Sequence, residues 1–260
     1  MKYTCLSYEV KDRMAIVTLN RPEKLNALTL VFWKEIHQAL KAGDHDNNVE
    51  VHLITGNGRA FCTGDDISVL TKLQNQDDID ELFLGGVYEL VNLIVHLKKP
   101  LITAVNGLAY GGGCELVLLS DLAIASKEAI FALSEGRIGA FATIFSVFGP
   151  PILGLKFSNE LTLLGESISA ARALEIGLVN CVVPHEKLMD STFIYARQIM
   201  KSSPVAQRII KETSSRLLGN YLHDFWIGCQ RFSREITKTD DFLEGTAAFM
   251  EKRPPYFDRR

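Results

Sequence analysis

Phe61-Cys62-Thr63-Gly64-Asp65-Asp66 and Gly111-Gly112-Gly113-Cys114-Glu115 are the two stretches on which the reading of this chain turns. Each sets glycine beside an apolar run, and a second carboxylate follows twenty residues after Glu115, in Leu133-Ser134-Glu135-Gly136. Glycine lets a backbone approach a ligand closely and aim amide N–H groups at it. Two such loops can hold a developing oxyanion, and two glutamates can move protons beside it. These are the parts of enolate chemistry.

Outward from those stretches, the pattern alternates strand and helix. Tyr3–Val10 and Met14–Leu19 are β-branched and apolar around Lys11-Asp12-Arg13, which predicts a hairpin. Leu28–Leu40 has helical spacing and ends by Gly43; Val49–Thr55 reads as a strand stopped by Gly56-Asn57-Gly58. Asp77–Leu97 predicts a helix leading to Pro100, and Leu101–Val105 is a wholly apolar strand turned by Asn106-Gly107. Cys114–Ser120 is helical, so the glycine triplet falls where a helix begins. Its unpaired N–H groups and positive dipole end suit an anionic oxygen. Leu122–Ala125 and Ile130–Ala132 are short strands; after Ala170 the pattern is mostly helical, with breaks at Gly177, Pro184, Pro204 and Gly219. The sum is an α/β core with layered sheets and a helical C-terminal part.

Composition narrows the class. At 260 residues the chain is near the upper end for one hydrophobic core, and 47% hydrophobic residues fit an ordinary globular protein. A net charge of −3 gives no electrostatic footprint for nucleic acid. Cys5, Cys62, Cys114, Cys181 and Cys229 are scattered with no Cys-x-x-Cys pair, which reads as reduced thiols in a cytoplasmic protein. Met1-Lys2-Tyr3-Thr4-Cys5-Leu6 enters an alternating pattern directly, so no signal peptide is expected. Ile138–Leu155 runs eighteen residues without a charge, but Gly139, Gly149, Pro150, Pro151 and Gly154 make it a buried, broken helix rather than a membrane span.

Other chemistries lack their signatures. Position 116 is leucine, so Gly-x-Gly-x-x-Gly fails, and no Gly-Lys-Ser/Thr follows the triplet. His185-Glu186 lacks the second histidine of a zinc-protease helix, no Cys/His spacing forms a metal site, and Gly-x-Ser-x-Gly is absent. The Phe61–Asp66 loop also reads as a plain strand-to-helix turn with Asp66 as the helix cap. Glu115 stands out because it interrupts an apolar stretch from Leu101 to Leu116, where a carboxyl should have a raised pKa.

The order and spacing of these motifs resemble the enoyl-CoA hydratase/isomerase (crotonase) family. Asn20-Arg21-Pro22-Glu23-Lys24-Leu25-Asn26-Ala27-Leu28 upstream and Glu244-Gly245-Thr246-Ala247-Ala248-Phe249-Met250-Glu251-Lys252-Arg253-Pro254 at the far end extend the resemblance over nearly the whole chain. It implies a crotonase-like spiral of ββα turns over residues 1–187 and a helical trimerisation region over 188–260, with trimers commonly paired into hexamers. It implies oxyanion-hole donors at the backbone N–H of Asp65 and Gly112, with almost any side chain tolerated at 65. Glu115 would activate the water that attacks Cβ, and Glu135 would deliver a proton to Cα. Lys24, Ala27, Gly64, Asp66, Ile67 and Gly111 would line an acyl-CoA site, with Phe249 at adenine, Lys252 at a phosphate and Arg21 a weaker candidate.

The same resemblance implies an acyl-CoA thioester as substrate, no metal and no cofactor beyond the coenzyme A it carries, and neither nucleic acid nor membrane as partner. Retention of both glutamates favours hydration; a Δ3-Δ2 isomerase and a weakly active CoA-binding scaffold are the alternatives. One segment departs from the commonest family pattern. After Gly139, residues Ala142, Thr143, Phe145 and Ser146 stand where Pro-Gly and a Gly-Gly pair are usual. A missing backbone contact to the water, or a reshaped acyl pocket, is the expected consequence.

Overall fold

In the computed structural model, which describes residues 2–73 and 75–258, the N-terminal hairpin forms as its alternation requires. Strand β1 (Leu6–Lys11) pairs antiparallel with β2 (Met14–Leu19). Asp12 and Arg13 make the turn with φ of 48° and 64°, the left-handed geometry that matches the twist of a two-residue hairpin.

The chain then winds in three turns, each adding one strand to each of two sheets before a helical stretch. The first turn supplies β3 (Val51–Gly56) and β4 (Ala60–Cys62), the second β5 (Leu101–Val105) and β6 (Leu108–Tyr110), the third β7 (Leu122–Ser126) and β8 (Ile130–Ala132). With β9 (Ile168–Ser169) and β10 (Cys181–Val183) they give a six-stranded sheet, β1-β2-β3-β5-β7-β10, and a four-stranded sheet, β4-β6-β8-β9. This is the ββα spiral. From β2 to β10 the larger sheet is parallel, and β3 and β5 are almost wholly buried, which is why they read as unbroken apolar runs.

Side chains alternate across that sheet with period two. Met14, Ile16, Val51, Leu53, Ile102 and Ala104 pack outward on Leu188 and Ala196 of the Leu188–Ile199 helix. Val17, Leu19, Ile54, Leu101 and Val105 face the main core with Phe32, Trp33 and Ile36 of the Leu30–His45 helix. The Gly112–Leu119 helix runs through that core with every residue buried. Its start is pressed so hard on β4 that a Cβ at Gly113 would stand 2.1 Å from the Cys62 carbonyl oxygen. Only glycine fits there.

Two elements differ from the sequence reading, and the broken uncharged run between them matches it. The predicted Asp77–Leu97 helix is continuous but changes pitch: Gln76–Asp80 and Glu89–His96 are α-helical, while Glu81–Tyr88 is a π-helix. The uncharged Ile138–Leu155 run holds a Thr143–Leu153 helix with Pro150 and Pro151 inside it, broken at Gly154 with φ of 88°. β10 lies in a region read as mostly helical; it is three residues long and parallel to β7. Helices Pro204–Gly219, Leu222–Arg234 and Asp240–Glu251 complete the C-terminal part. Among the described residues no helix is long and apolar enough to cross a membrane.

Candidate active site

β4 and β6 are parallel neighbours, with Ala60 opposite Leu108 and Cys62 opposite Ala109. The two glycine loops therefore leave the sheet side by side. A Cβ on Gly64, whose φ is 80°, would stand 3.1 Å from the Gly112 nitrogen and 3.2 Å from the Tyr110 carbonyl oxygen. Contact this close, at a left-handed φ, requires glycine.

Leu28 fixes the first loop: its N–H donates to the Gly64 carbonyl, and its own carbonyl accepts from Asp66 N–H, both at 2.8 Å. This is a parallel bridge between Leu28 and Asp65. Since Gly64 O and Asp66 N both point to Leu28, the intervening Asp65 N–H points the other way. Gly112 is the first residue of its helix, so its N–H has no partner within the helix. Among the described residues neither amide takes a backbone carbonyl in a loop or turn. Both residues line a cavity of about 670 Å³.

The two glutamates line the same cavity. Glu115, one turn into the buried helix, is 5% exposed, and its Oε1 accepts the Phe145 N–H at 2.9 Å. Phe145 and Ile144 belong to the first turn of the Thr143–Leu153 helix, whose cap residue, Ala142, has no side chain that could accept. Glu115 caps that helix from across the core. Burial pushes its carboxyl well above the usual range, Glu135 adds to this, and the two amides oppose it. Glu135 opens the Glu135–Ile138 turn, and its Oε1 lies 3.1 Å from where a Gly111 Cβ would be. Its Oε2 is buried without a hydrogen-bond partner. Burial pushes the Glu135 carboxyl up to about 7; a backbone hydrogen bond opposes the rise and Asp65 adds to it.

Lys24, Ala27, Gly64, Asp65, Asp66, Ile67, Gly111, Gly112, Glu115, Glu135 and Phe249 all line this one cavity. Lys252 does not; it is exposed at the end of the last helix, with φ of 57°. Arg21 lies behind the wall, donating to the Ala27 carbonyl at 2.6 Å and pairing with Asp66 at 3.4 Å. Asp66 precedes the Ile67–Leu70 helix but makes no capping hydrogen bond; its carboxylate accepts from Ser68 Oγ and Arg21. Asp65 also engages through its side chain, whose Oδ1 accepts the indole N–H of Trp33 at 2.8 Å.

Phe83, Val87, Phe141 and Phe232 form an apolar wall, with ring centroids 4.4 Å apart for Phe83 and Phe232 and 5.6 Å for Phe141 and Phe232. Trp33, Phe83 and Phe232 gave no functional signal in the sequence because each sits where a helix needs an apolar residue. Within the atypical Ala142–Ser146 segment the backbone amides of Ile144 and Phe145 donate to Glu115. Phe141 and Thr143 line the cavity wall.

A two-sheet spiral with paired glycine loops, one buried glutamate and one half-buried glutamate defines a class, and comparison with known proteins gives the family. Residues 9–260 match enoyl-CoA hydratase/isomerase, and the chain belongs to that family. It is 35% identical to a probable enoyl-CoA hydratase of Rhizobium meliloti and 36% identical to one of Mycobacterium leprae, each match covering 100% of both chains. A crystal structure of carnitinyl-CoA hydratase from Mycobacterium avium superimposes with a TM-score of 0.87 at 31% identity, again over 100% of both chains.

Proposed function

We propose that this protein is an enoyl-CoA hydratase, adding water across the 2,3 double bond of an acyl-CoA thioester. The observation that carries the reading is the presence of two glutamates and two unpaired amides in one cavity. The thioester oxygen accepts from Asp65 N–H and Gly112 N–H, which stabilise the enolate as it forms; one such donor is typically worth about 3–4 kcal/mol. Ionised Glu115 takes a proton from water as the oxygen bonds to Cβ. Protonated Glu135 then gives its proton to Cα, and the enolate collapses to the thioester. A carboxyl titrating at about 7 is suited to that donation at neutral pH.

Coenzyme A enters as part of the substrate, with Phe249 against adenine and Lys252 reaching a phosphate. The probable-hydratase names of the relatives support the same reaction, and a trimer or hexamer is the assembly that goes with it. The test is an assay on crotonyl-CoA that follows loss of the enoyl absorbance and resolves the products. Formation of 3-hydroxybutyryl-CoA supports the reading. Conversion of a 3-enoyl-CoA without hydration would instead identify an isomerase, and binding without turnover a CoA-binding scaffold.

A further inference from the structure

The Asp65 side chain has a place of its own in this cavity. Its carboxyl is half-buried on the wall and accepts the Trp33 N–H at 2.8 Å. The same indole lies against Gly112, where a Cβ would stand 3.2 Å from the ring. One side chain from the Leu30–His45 helix therefore touches both loops that present the free amides.

The ionisable groups around Asp65 come from four directions. Asp66 follows it in the chain and is paired with Arg21, and Cys62 ends the strand before it. Glu115 faces it from the central helix and Glu135 from the turn after β8. Lys24 and Arg137 line the same cavity, with Arg137 already paired to Glu166. Three carboxyls in one low-dielectric space cannot all ionise cheaply. Burial, opposed by the indole N–H and reinforced by Asp66, pushes Asp65 up to about 6.

We propose that Asp65 is a third functional carboxyl of the site, a positioning residue held by Trp33. Its charge sets the pH range over which Glu115 and Glu135 exchange protons, and its tether to the indole aims its own amide. The kinetic part of the proposal rests on the hydratase reading above.

Asp65→Asn keeps an oxygen for the indole N–H and removes the charge. Loss of a nearby negative charge favours ionised glutamate, so the pH–rate profile on crotonyl-CoA should move to lower pH by roughly half to one unit. Trp33→Phe keeps a ring near Gly112 and removes the N–H; it should lower kcat roughly tenfold at unchanged KM, the signature of a contact used only in the transition state. Carbon-13 NMR of carboxyl-labelled glutamate, with Glu135→Gln assigning that resonance, follows the same titrations without turnover. If the parent protein does not hydrate crotonyl-CoA, the hydratase reading fails while the NMR comparison still decides the role of Asp65. Glutamate titrations that stay in place in Asp65→Asn would overturn the proposal.

Discussion

Glu115 Oε1 accepts the amide of Phe145 at 2.9 Å, so one carboxyl both faces the cavity and caps the helix behind it. Two opposing influences meet in that contact. Burial and Glu135 disfavour the charge on Glu115, while the amides of Ile144 and Phe145 favour it. Glu135 has no comparable support at its Oε2. Two carboxyls in different environments are how one site can hold a base and an acid at the same pH.

Glu115→Gln and Glu135→Gln should each lower hydration of crotonyl-CoA by about 10²–10³, the scale of general acid–base catalysis, with acyl-CoA binding largely kept. Steady-state rates and a thioester binding assay check both halves. Near-normal turnover in either variant would remove the two-carboxylate mechanism, and loss in only one would favour isomerisation.

Hydration needs protonated Glu135 and ionised Glu115, so kcat should be bell-shaped in pH, falling as Glu135 loses its proton through about 7 and falling at lower pH as Glu115, raised by burial, gains one. Stability has a single sign. A carboxyl whose folded pKa is raised costs nothing below its unfolded value and progressively destabilises the fold as pH rises through the folded one. Between 4.5 and about 7, at about 1.4 kcal/mol per pH unit, the cost of ionising Glu135 is at most about 3.5 kcal/mol. Denaturant titrations should therefore find Glu135→Gln more stable than the parent at pH 8 and close to it at pH 4. Equal stability at both pH values would show that Glu135 is not strained by burial.

Gly113→Ala should destabilise the fold by more than about 2 kcal/mol, because the new methyl would meet the Cys62 carbonyl at 2.1 Å and neither the buried helix nor β4 can yield. Gly136→Ala is the control, since nothing lies within 4 Å of its Cβ position. Thermal unfolding of the two variants separates the cases. Gly112→Pro tests chemistry instead: it removes the N–H that the proposed mechanism uses and should abolish turnover.

The paired glycine loops and Glu115 were legible in the sequence because each breaks a local pattern, glycine at a helix start or charge inside an apolar run, whereas Glu135, in Ser134-Glu135-Gly136, breaks none and was marked by the family resemblance. Trp33 was not, because an aromatic residue in the Leu30–His45 helix satisfies the core pattern whether or not its N–H reaches Asp65. The π-helix at Glu81–Tyr88 was hidden for a similar reason. Leu82, Phe83, Gly86 and Val87 are buried there, a spacing compatible with an ordinary helix. Ile168–Ser169 and Cys181–Val183 are too short for an alternation to register, and their pairing to β8 and β7 supplies the order. The contact from the Ala142–Ser146 segment to Glu115 left no trace in the residue types because backbone amides make it.

The C-terminal helix supplies the last test. Phe249 is 58% exposed yet lines the cavity, so its ring can offer a flat apolar face to a ligand at the mouth. Lys252 follows it by three residues, in a left-handed position that ends the helix, and stands outside the cavity. A cation there can act on an anion only from the rim, as a point charge. Lys252→Ala should thus raise KM for a CoA thioester while kcat changes little, the pattern of lost uniform binding. The difference from the parent should shrink with added salt, since exposed charges are screened over about 10 Å at 0.1 M. Phe249→Ala should raise KM in a way that salt does not remove, because its contribution is apolar. A dephospho-CoA thioester makes the assignment specific: the parent should lose on it what Lys252→Ala loses on the full substrate, and the variant should lose nothing further. An unchanged KM for Lys252→Ala on both thioesters would mean that the charge at the helix end plays no part in binding.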